Sequence, residues 1–236
     1  MILYENDTIV AIITGLTGSS SNVKTGDMAQ IYILVRDQKP TEAIKNGDDR
    51  LICGDCVHRK DKTCYVNAGQ GPTSVWKAYK NGSYPQLDKA KLKHSLRWKS
   101  VRFGAYGDPA FIPLDIVKLI SEACISWTGY THQWTDCLQD FKKYFMASVE
   151  SMTEQLIASD AGWRSYRVIN SEAKLSRKGK EILCPHESTG VQCRDCGLCD
   201  GTAGKHGAGK SIAVKVHGLK HKIKKFDTKA LTPINL

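Results

Sequence analysis

The chain has 236 residues, with 34 Lys and Arg against 24 Asp and Glu, a formal net charge of +10, nine Cys and 41% hydrophobic residues. That apolar content is ordinary for a folded domain, so it excludes disorder as the default and allows one sizeable core. No run of about 18 apolar residues occurs, so no transmembrane helix and no membrane partner are expected.

The opening residues, MILYENDTIV, carry neither a basic n-region nor a small-residue cleavage site, which predicts a cytoplasmic setting. In a reducing compartment clustered thiols bind metal more often than they form disulfides. GLTGSSSNVKTGD (15–27) reads as a Gly/Ser loop, and MAQIYILV (28–35) is β-rich. Lys89 to Lys99 reads as a basic connection. VRFGAY (101–106) is a second strand, closing in Gly107-Asp108-Pro109. From Pro113 to Ser126 the apolar Ile116, Leu119, Ile120 and Ala123 recur at helical spacing, with Pro113 suited to a first turn. ISWTGYTH (125–132) predicts a strand, Asp136 to Lys143 a short helix, and YFMASV (144–149) the next strand. Ser151-Met-Thr-Glu154 is a capping-box pattern that opens a helix to about Ser159. WRSYRVI (163–169) and IAVKV (212–216) read as strands, and the last 35 residues otherwise look irregular and Lys-rich.

Strands separated by helices indicate βαβ units and a parallel sheet. The units are too few for an eightfold barrel. The expected class is therefore α/β, as a partial (β/α) barrel or an open, mostly parallel sheet. Residues 1–183 form the α/β part, with a Cys loop at 53–64. Residues 184–236 form a Cys-rich knuckle and a basic segment packed on it.

Cysteine spacing carries most of the chemistry. Cys53 and Cys56 are followed by Cys64 in a C-x2-C-x7-C run, and Cys184, Cys193, Cys196 and Cys199 form a second run. The turn inside C-x2-C points both sulfurs at one ion or cluster. The second run is a complete four-sulfur set, suited to tetrahedral zinc or a four-iron cluster. The first offers three thiols, to be completed by His58, by a cysteine of the second run, or left with one position open. On ligand type alone, zinc and iron–sulfur stand level. Cys124, on the apolar side of the 113–126 helix, and Cys137 read as packed thiols.

Ligands of open α/β sheets sit at the carboxyl ends of strands. Those ends here carry Tyr106, Gly107 and Asp108, then Tyr130, Thr131 and His132, then Ser148, Glu150 and Ser151. His132 and Glu150 are the candidate catalytic pair, an acid–base group and a hydrogen-bond acceptor. Tyr106, Gly107, Asp108, Thr131 and Ser148 are the candidate cofactor contacts.

Residues 204–211 match the phosphate-binding pattern G-x4-G-K-[ST], but the chemistry needs a strand before the loop and a helix after it. Here a cysteine turn precedes and IAVKV alternates as a strand, so nucleotide binding is not expected. Residues 201–226 hold seven Lys, three His and no acid, and Lys89 to Arg102 is a second basic stretch bearing Trp98. Such segments favour an anionic partner, a small molecule or nucleic acid. Only Phe226 is aromatic in the tail, so specific nucleic-acid readout is not indicated.

The order KTGDMAQIYIL, CGDCVHRKDKTCYVN, VRFGAYGDPAF, GYTHQW and CRDCGLCDG resembles a phage-encoded iron–sulfur protein family with a radical-SAM-like, partial TIM-barrel appearance. The resemblance covers most of the chain, and its specific parts are the CGDC and CRDCGLC elements. It implies a host-cytoplasm setting, an iron–sulfur cluster, [4Fe-4S], in preference to zinc, and S-adenosylmethionine as a second cofactor. Radical SAM enzymes use C-x3-C-x2-C, whereas this chain has C-x2-C-x7-C. A zinc-stabilised nucleic-acid-binding protein and a non-enzymatic electron carrier are the alternatives.

Overall fold

The computed structural model describes residues 1–18, 22–170, 172–177, 180–204 and 209–230. It begins with a hairpin in which β1 (Ile2–Glu5) and β2 (Ile9–Thr14) pair antiparallel. Asn6 makes the turn, its Oδ1 accepting from the backbone N–H of Thr8 and Ile9 at 2.9 and 2.8 Å. β2 lies antiparallel to β3 (Met28–Val35), with Ile9 opposite Val35.

Every later pairing is parallel. β4 (Ser100–Tyr106) lies beside β3, and β5 (Trp127–Thr128) beside β4. β6 (Tyr130–Thr131) starts a second sheet and pairs with β7 (Met146–Val149), which pairs with β8 (Ser165–Ile169). β9 (Glu181–Leu183) forms the far edge, and β10 (Ser211–Lys215) enters between β8 and β9. The strand orders are β1-β2-β3-β4-β5 and β6-β7-β8-β10-β9. The class is α/β as expected, with parallel-strand sheets, and no barrel is closed.

The expected single strand over 125–132 is split by Gly129, so its two halves serve different sheets. The Gly129 N–H donates to Cys199 O at 3.1 Å, and its carbonyl accepts from Met146 N at 3.0 Å. A β-carbon at Gly129 would stand 2.6 Å from Phe145 Cδ1, so only glycine lets the strands approach here.

Parallel neighbours need crossovers, and the helices supply them. The long β3–β4 connection holds α1 (Pro40–Asn46), α2 (Arg50–Cys53), α3 (Val57–Lys60), α4 (Gly71–Lys80) and α5 (Lys89–Leu96). The stretch expected as a basic connection is thus helix α5. Asp88 caps it, accepting from Lys91 N at 2.9 Å, and Leu92 and Leu96, four residues apart, bury its apolar edge. α6 (Leu114–Ala123) joins β4 to β5, and α7 (Met152–Asp160) joins β7 to β8. The Ser151 capping box forms, with Ser151 Oγ accepting from Glu154 N and Glu154 Oε2 from Glu150 N. The expected helix at 136–143 is a 3₁₀ turn over Gln139–Lys143.

α8 (Pro185–Thr189) and α9 (Cys193–Cys196) lie between β9 and β10. α10 (Lys220–Ala230) follows β10, so the tail expected to be irregular is partly helical. The segment from 184 onward is more than an appendage, because β10 is an interior strand of the second sheet. Residues 205–208, at the centre of the G-x4-G-K-S run, lie outside the described residues. Ser211 opens β10, as the strand-like alternation predicts.

Strand alternation sorts the side chains. Val101, Phe103, Ala147 and Val149 belong to the core, together with Ile116, Val117 and Ile120 of α6. Phe103 meets Phe145 edge-on at 5.2 Å, and Phe141 stacks on Phe145 at 5.5 Å. Each such buried side chain contributes about 1.5–3 kcal/mol. The opposite, even-numbered face of the same strands carries the polar residues.

Candidate metal-binding cavity at the strand ends

On that even face, Tyr106 and Asp108 from β4, His132 beyond β6 and Ser148 from β7 open into one cavity of about 140 Å³. The loop after α2 covers it with Cys53, Cys56 and Cys64, and Phe226 of α10 closes one side. The three thiols of the first run therefore meet Tyr106, Gly107, Asp108, Tyr130, His132 and Ser148 among the strand-end residues that sequence reasoning singled out, whereas Thr131, Glu150 and Ser151 do not line this cavity. No cysteine of the second run lines this cavity among the described residues.

Backbone geometry explains the approach. Gly54, after Cys53, has φ +54°, and a β-carbon there would stand 2.3 Å from Gln133 Oε1. Gln133 Nε2 donates to Cys53 O at 3.2 Å, which ties the cysteine loop to the end of β6. The Asp108 N–H donates to Ile52 O at 2.6 Å, a second tie to β4.

Burial pushes the Cys53 thiol well above its ordinary range, and the neighbouring Cys56 and Cys64 push the same way. Burial also raises Cys64, partly offset by a bond to the Val66 backbone. Three packed thiols that resist ionisation become good ligands once a cation sits among them, because the metal removes the mutual repulsion. Among the described residues the three sulfurs do not form a group whose ligand atoms all lie within 4.8 Å of one another, so they are spaced more widely than the donors of a single ion and would suit a multi-iron cluster better.

Asp108 is buried, and burial raises its pKa. Oδ1 accepts from Ala110 N at 3.0 Å and Oδ2 from His132 N at 2.8 Å. Oδ1 thus caps the 3₁₀ turn that follows β4, while Oδ2 ties the end of β4 to the end of β6, so Asp108 positions His132. Thr131 is fully buried; its Oγ1 accepts from Gln133 N at 2.9 Å, and its side chain also bonds the Asp108 carboxyl. It does not line the cavity, whereas Tyr106, Gly107 and Ser148 do.

His132 Nε2 lies 3.6 Å from Cys56 Sγ and 3.4 Å from Glu150 Oε1. Burial opposes charge on His132, but the Cys56 and Glu150 contacts outweigh it and lift its pKa to about 10. His58 Nε2 stands 3.6 Å from Glu150 Oε2, so both imidazoles face one carboxylate.

The second cysteine run lines a separate cavity with Thr128 and Ile212. Arg164 builds it. Its guanidinium pairs with Asp200 at 2.9 Å and donates to the carbonyls of Leu198, Gly201 and Lys210. Tyr130 and Tyr166, stacked at 3.9 Å, stand between the two cysteine sets on the even face. Burial raises both phenols strongly, and the Cys199 thiol adds to it. Sequence reasoning missed Tyr166, Thr63 and Phe226. The strand period offered a signal for Tyr166, none for the others.

Cys124 and Cys137 pack against the core, as expected. Cys124 Sγ contacts Ser121 O at 3.8 Å, and burial pushes Cys137 up to about 11.

No protein-family model matches the chain, and comparison with curated proteins and with solved structures finds no similar one. No helix among the described residues is long and apolar enough to cross a membrane.

Proposed function

We propose that the chain is an iron–sulfur protein of phage type, with a radical-SAM-like open barrel and a cluster held by Cys53, Cys56 and Cys64. The observation that carries this reading is the convergence of those three thiols on the cavity at the carboxyl ends of the strands. Three thiolates match a [4Fe-4S] cluster, which when bound supplies a redox-active iron with one position open to an exogenous ligand. The four cysteines of the second run line their own cavity and would hold zinc or a second cluster there once their sulfurs, which do not all lie within 4.8 Å of one another, draw together.

The chain's own residues supply the remainder. The raised thiols release protons as metal loads, so loading is favoured at higher pH. Asp108 holds His132 in place through the backbone, and Ser148 and Tyr106 offer hydroxyls to a small ligand. The cavity is smaller than the ~300–1,000 Å³ of sites for drug-sized ligands. Binding of S-adenosylmethionine, the further cofactor of this reading, therefore requires Phe226 and α10 to move aside.

Anaerobically purified protein is expected to be brown, to absorb near ~400 nm and to contain iron and sulfide in similar amounts. Cys53→Ser with Cys64→Ser removes the cavity cluster, while Cys193→Ser with Cys196→Ser reports on the second site. A colourless protein carrying only zinc after anaerobic reconstitution overturns the proposal. Reversible reduction without cleavage of S-adenosylmethionine assigns the chain to electron transfer instead.

One observation favours a second reading, a zinc-stabilised protein that binds nucleic acid. Lys60 of α3 and His221, Lys224 and Lys225 of α10 line one groove. Binding through such a groove weakens steeply between 50 and 200 mM salt, by roughly 0.9 in log-log slope per phosphate contact on a duplex. Absence of DNA or RNA binding at low salt rejects it.

A further inference from the structure

We propose that His58, His132 and Glu150 form a mononuclear site for a divalent first-row transition ion, beside the three-thiol set and touching it where Cys56 Sγ lies 3.6 Å from His132 Nε2. One ligand atom from each residue of this trio, a ring nitrogen from each histidine and a carboxylate oxygen, lies within 4.8 Å of the other two, and it is the single such His/Cys/Asp/Glu group among the described residues.

The contacts of the trio are longer than tight ion-pair hydrogen bonds. A charge-assisted N–H···O bond closes to about 2.7–2.9 Å. The contacts from His132 and His58 to Glu150 are 3.4 and 3.6 Å. Bonds of about 2.0–2.2 Å from one ion to nitrogen and oxygen put neighbouring donors about 3.3–3.6 Å apart in tetrahedral geometry, which is the spacing of these two contacts. The two rings also meet at 82° with centroids 5.7 Å apart, so their nitrogens converge while the rings do not stack.

A second observation points the same way. Metal-ligating histidines almost always spend the other ring nitrogen on a fixed partner, which sets the tautomer and the aim of the ring. His58 Nδ1 lies 3.0 Å from Oγ1 of the buried Thr63, which leaves Nε2 for the shared space. His132 is fixed through its backbone N–H, held by Asp108. The three ligands come from α3, the end of β6 and the end of β7, so the fold assembles the site from rigid elements. Two imidazoles and one carboxylate suit Zn²⁺ or Fe²⁺ and leave positions open. His58 and His132 line the cavity, so those positions face a small ligand such as water, a carboxylate or a phosphate.

The test is a Co²⁺ titration of the full chain carrying Cys53→Ser and Cys64→Ser, with the second cysteine run first filled by a single equivalent of Zn²⁺, which four thiolates take in preference to the trio, and no free Zn²⁺ left. The serine variant cannot hold the cluster, so the outcome does not depend on the iron–sulfur reading. One equivalent of Co²⁺ is expected to bind and give visible d–d absorption, and H132Q and E150Q in the same background abolish it. Thr63→Val, which keeps the volume and removes the partner of His58, is expected to weaken affinity 10–100-fold. No Co²⁺ uptake, or uptake unchanged in H132Q and E150Q, overturns the proposal. Should the double serine variant fail to fold by circular dichroism, the wild-type chain is compared with E150Q. That substitution leaves every thiol in place and must remove one equivalent of bound Co²⁺, and equal uptake by the two chains overturns the site.

Discussion

Gly107 closes β4 with φ +81°, and the β-carbon of an alanine there would stand 2.7 Å from both Cβ and O of Ile33. The left-handed backbone costs an L-residue about 1–2 kcal/mol, and crowding the neighbouring strand costs about 1–3 more. Gly107→Ala is therefore expected to destabilise by about 2–5 kcal/mol, read as a lower urea midpoint at constant m-value. Because Gly107 precedes Asp108, the same change should loosen His132. His217 gives a residue-scale pH dependence. Burial lowers its pKa to about 4, and Lys24 Nζ, 3.1 Å from its Nε2, opposes a second positive charge. A folded pKa below the unfolded ~6.5 means that the unfolded chain takes up the proton first as pH falls. Stability from this histidine is present above pH ~6.5 and is lost as pH falls toward 4. His217→Gln should flatten that part of a melting-temperature-against-pH curve, and an unchanged slope removes His217 as its cause.

At the scale of elements, the second cysteine run hangs on one side chain. The Arg164 and Asp200 side chains are 6% and 2% exposed, so neither charge has water to fall back on. Breaking a buried pair by removing one partner costs about 3–5 kcal/mol. Arg164→Met should destabilise by that amount and also release the carbonyls at 198 and 201, raising the reactivity of Cys199 toward a thiol reagent. Stability lost without any change in thiol reactivity would show that the arginine serves the sheet and not the knuckle. The elements differ in how readily they could be read from residues alone. β4, β7 and β8 announced themselves by apolar residues ending in polar ones, and α6 by its 3.6-residue spacing. The hairpin did not, because IVAIIT in β2 is apolar on both faces, and a short continuous apolar run has no period to distinguish strand from helix. α5 hid behind its lysines, with only Leu92 and Leu96 to mark its buried edge. The grouping of the cysteines into two sets was legible from spacing, and the strand-end residues from the rule that parallel strands deliver them together. Thr63, α10 and Phe226 were not, since nothing local says which loop folds back over a sheet.

On the scale of the whole molecule, α10 is the cover of the cavity. Phe226 stacks on His58 with centroids 6.0 Å apart, and Lys222 Nζ donates to the carbonyls of Cys64 and Val66. Phe226→Ala should speed modification of the cavity thiols by a bulky reagent several-fold while leaving the melting temperature within a few degrees, since an aromatic contact at this exposure is worth only about 0.5–1.5 kcal/mol. Equal modification rates would mean that the thiols are reached by another path.

The insertion of β10 between β8 and β9 has a consequence in time. All four cysteines of the second run lie on the excursion from β9 to β10, so during synthesis they emerge before the strand that completes the sheet. Until residue 215 is available, β8 presents a row of unsatisfied N–H and C=O groups, an edge open to pairing with another chain. A metal captured by the cysteines would shorten the loop that must close before β10 docks, and loop closure is the slow step for non-local parallel pairing. Metal supply during refolding should therefore set the yield of soluble protein, with chelator-treated chains lost to aggregation at β8.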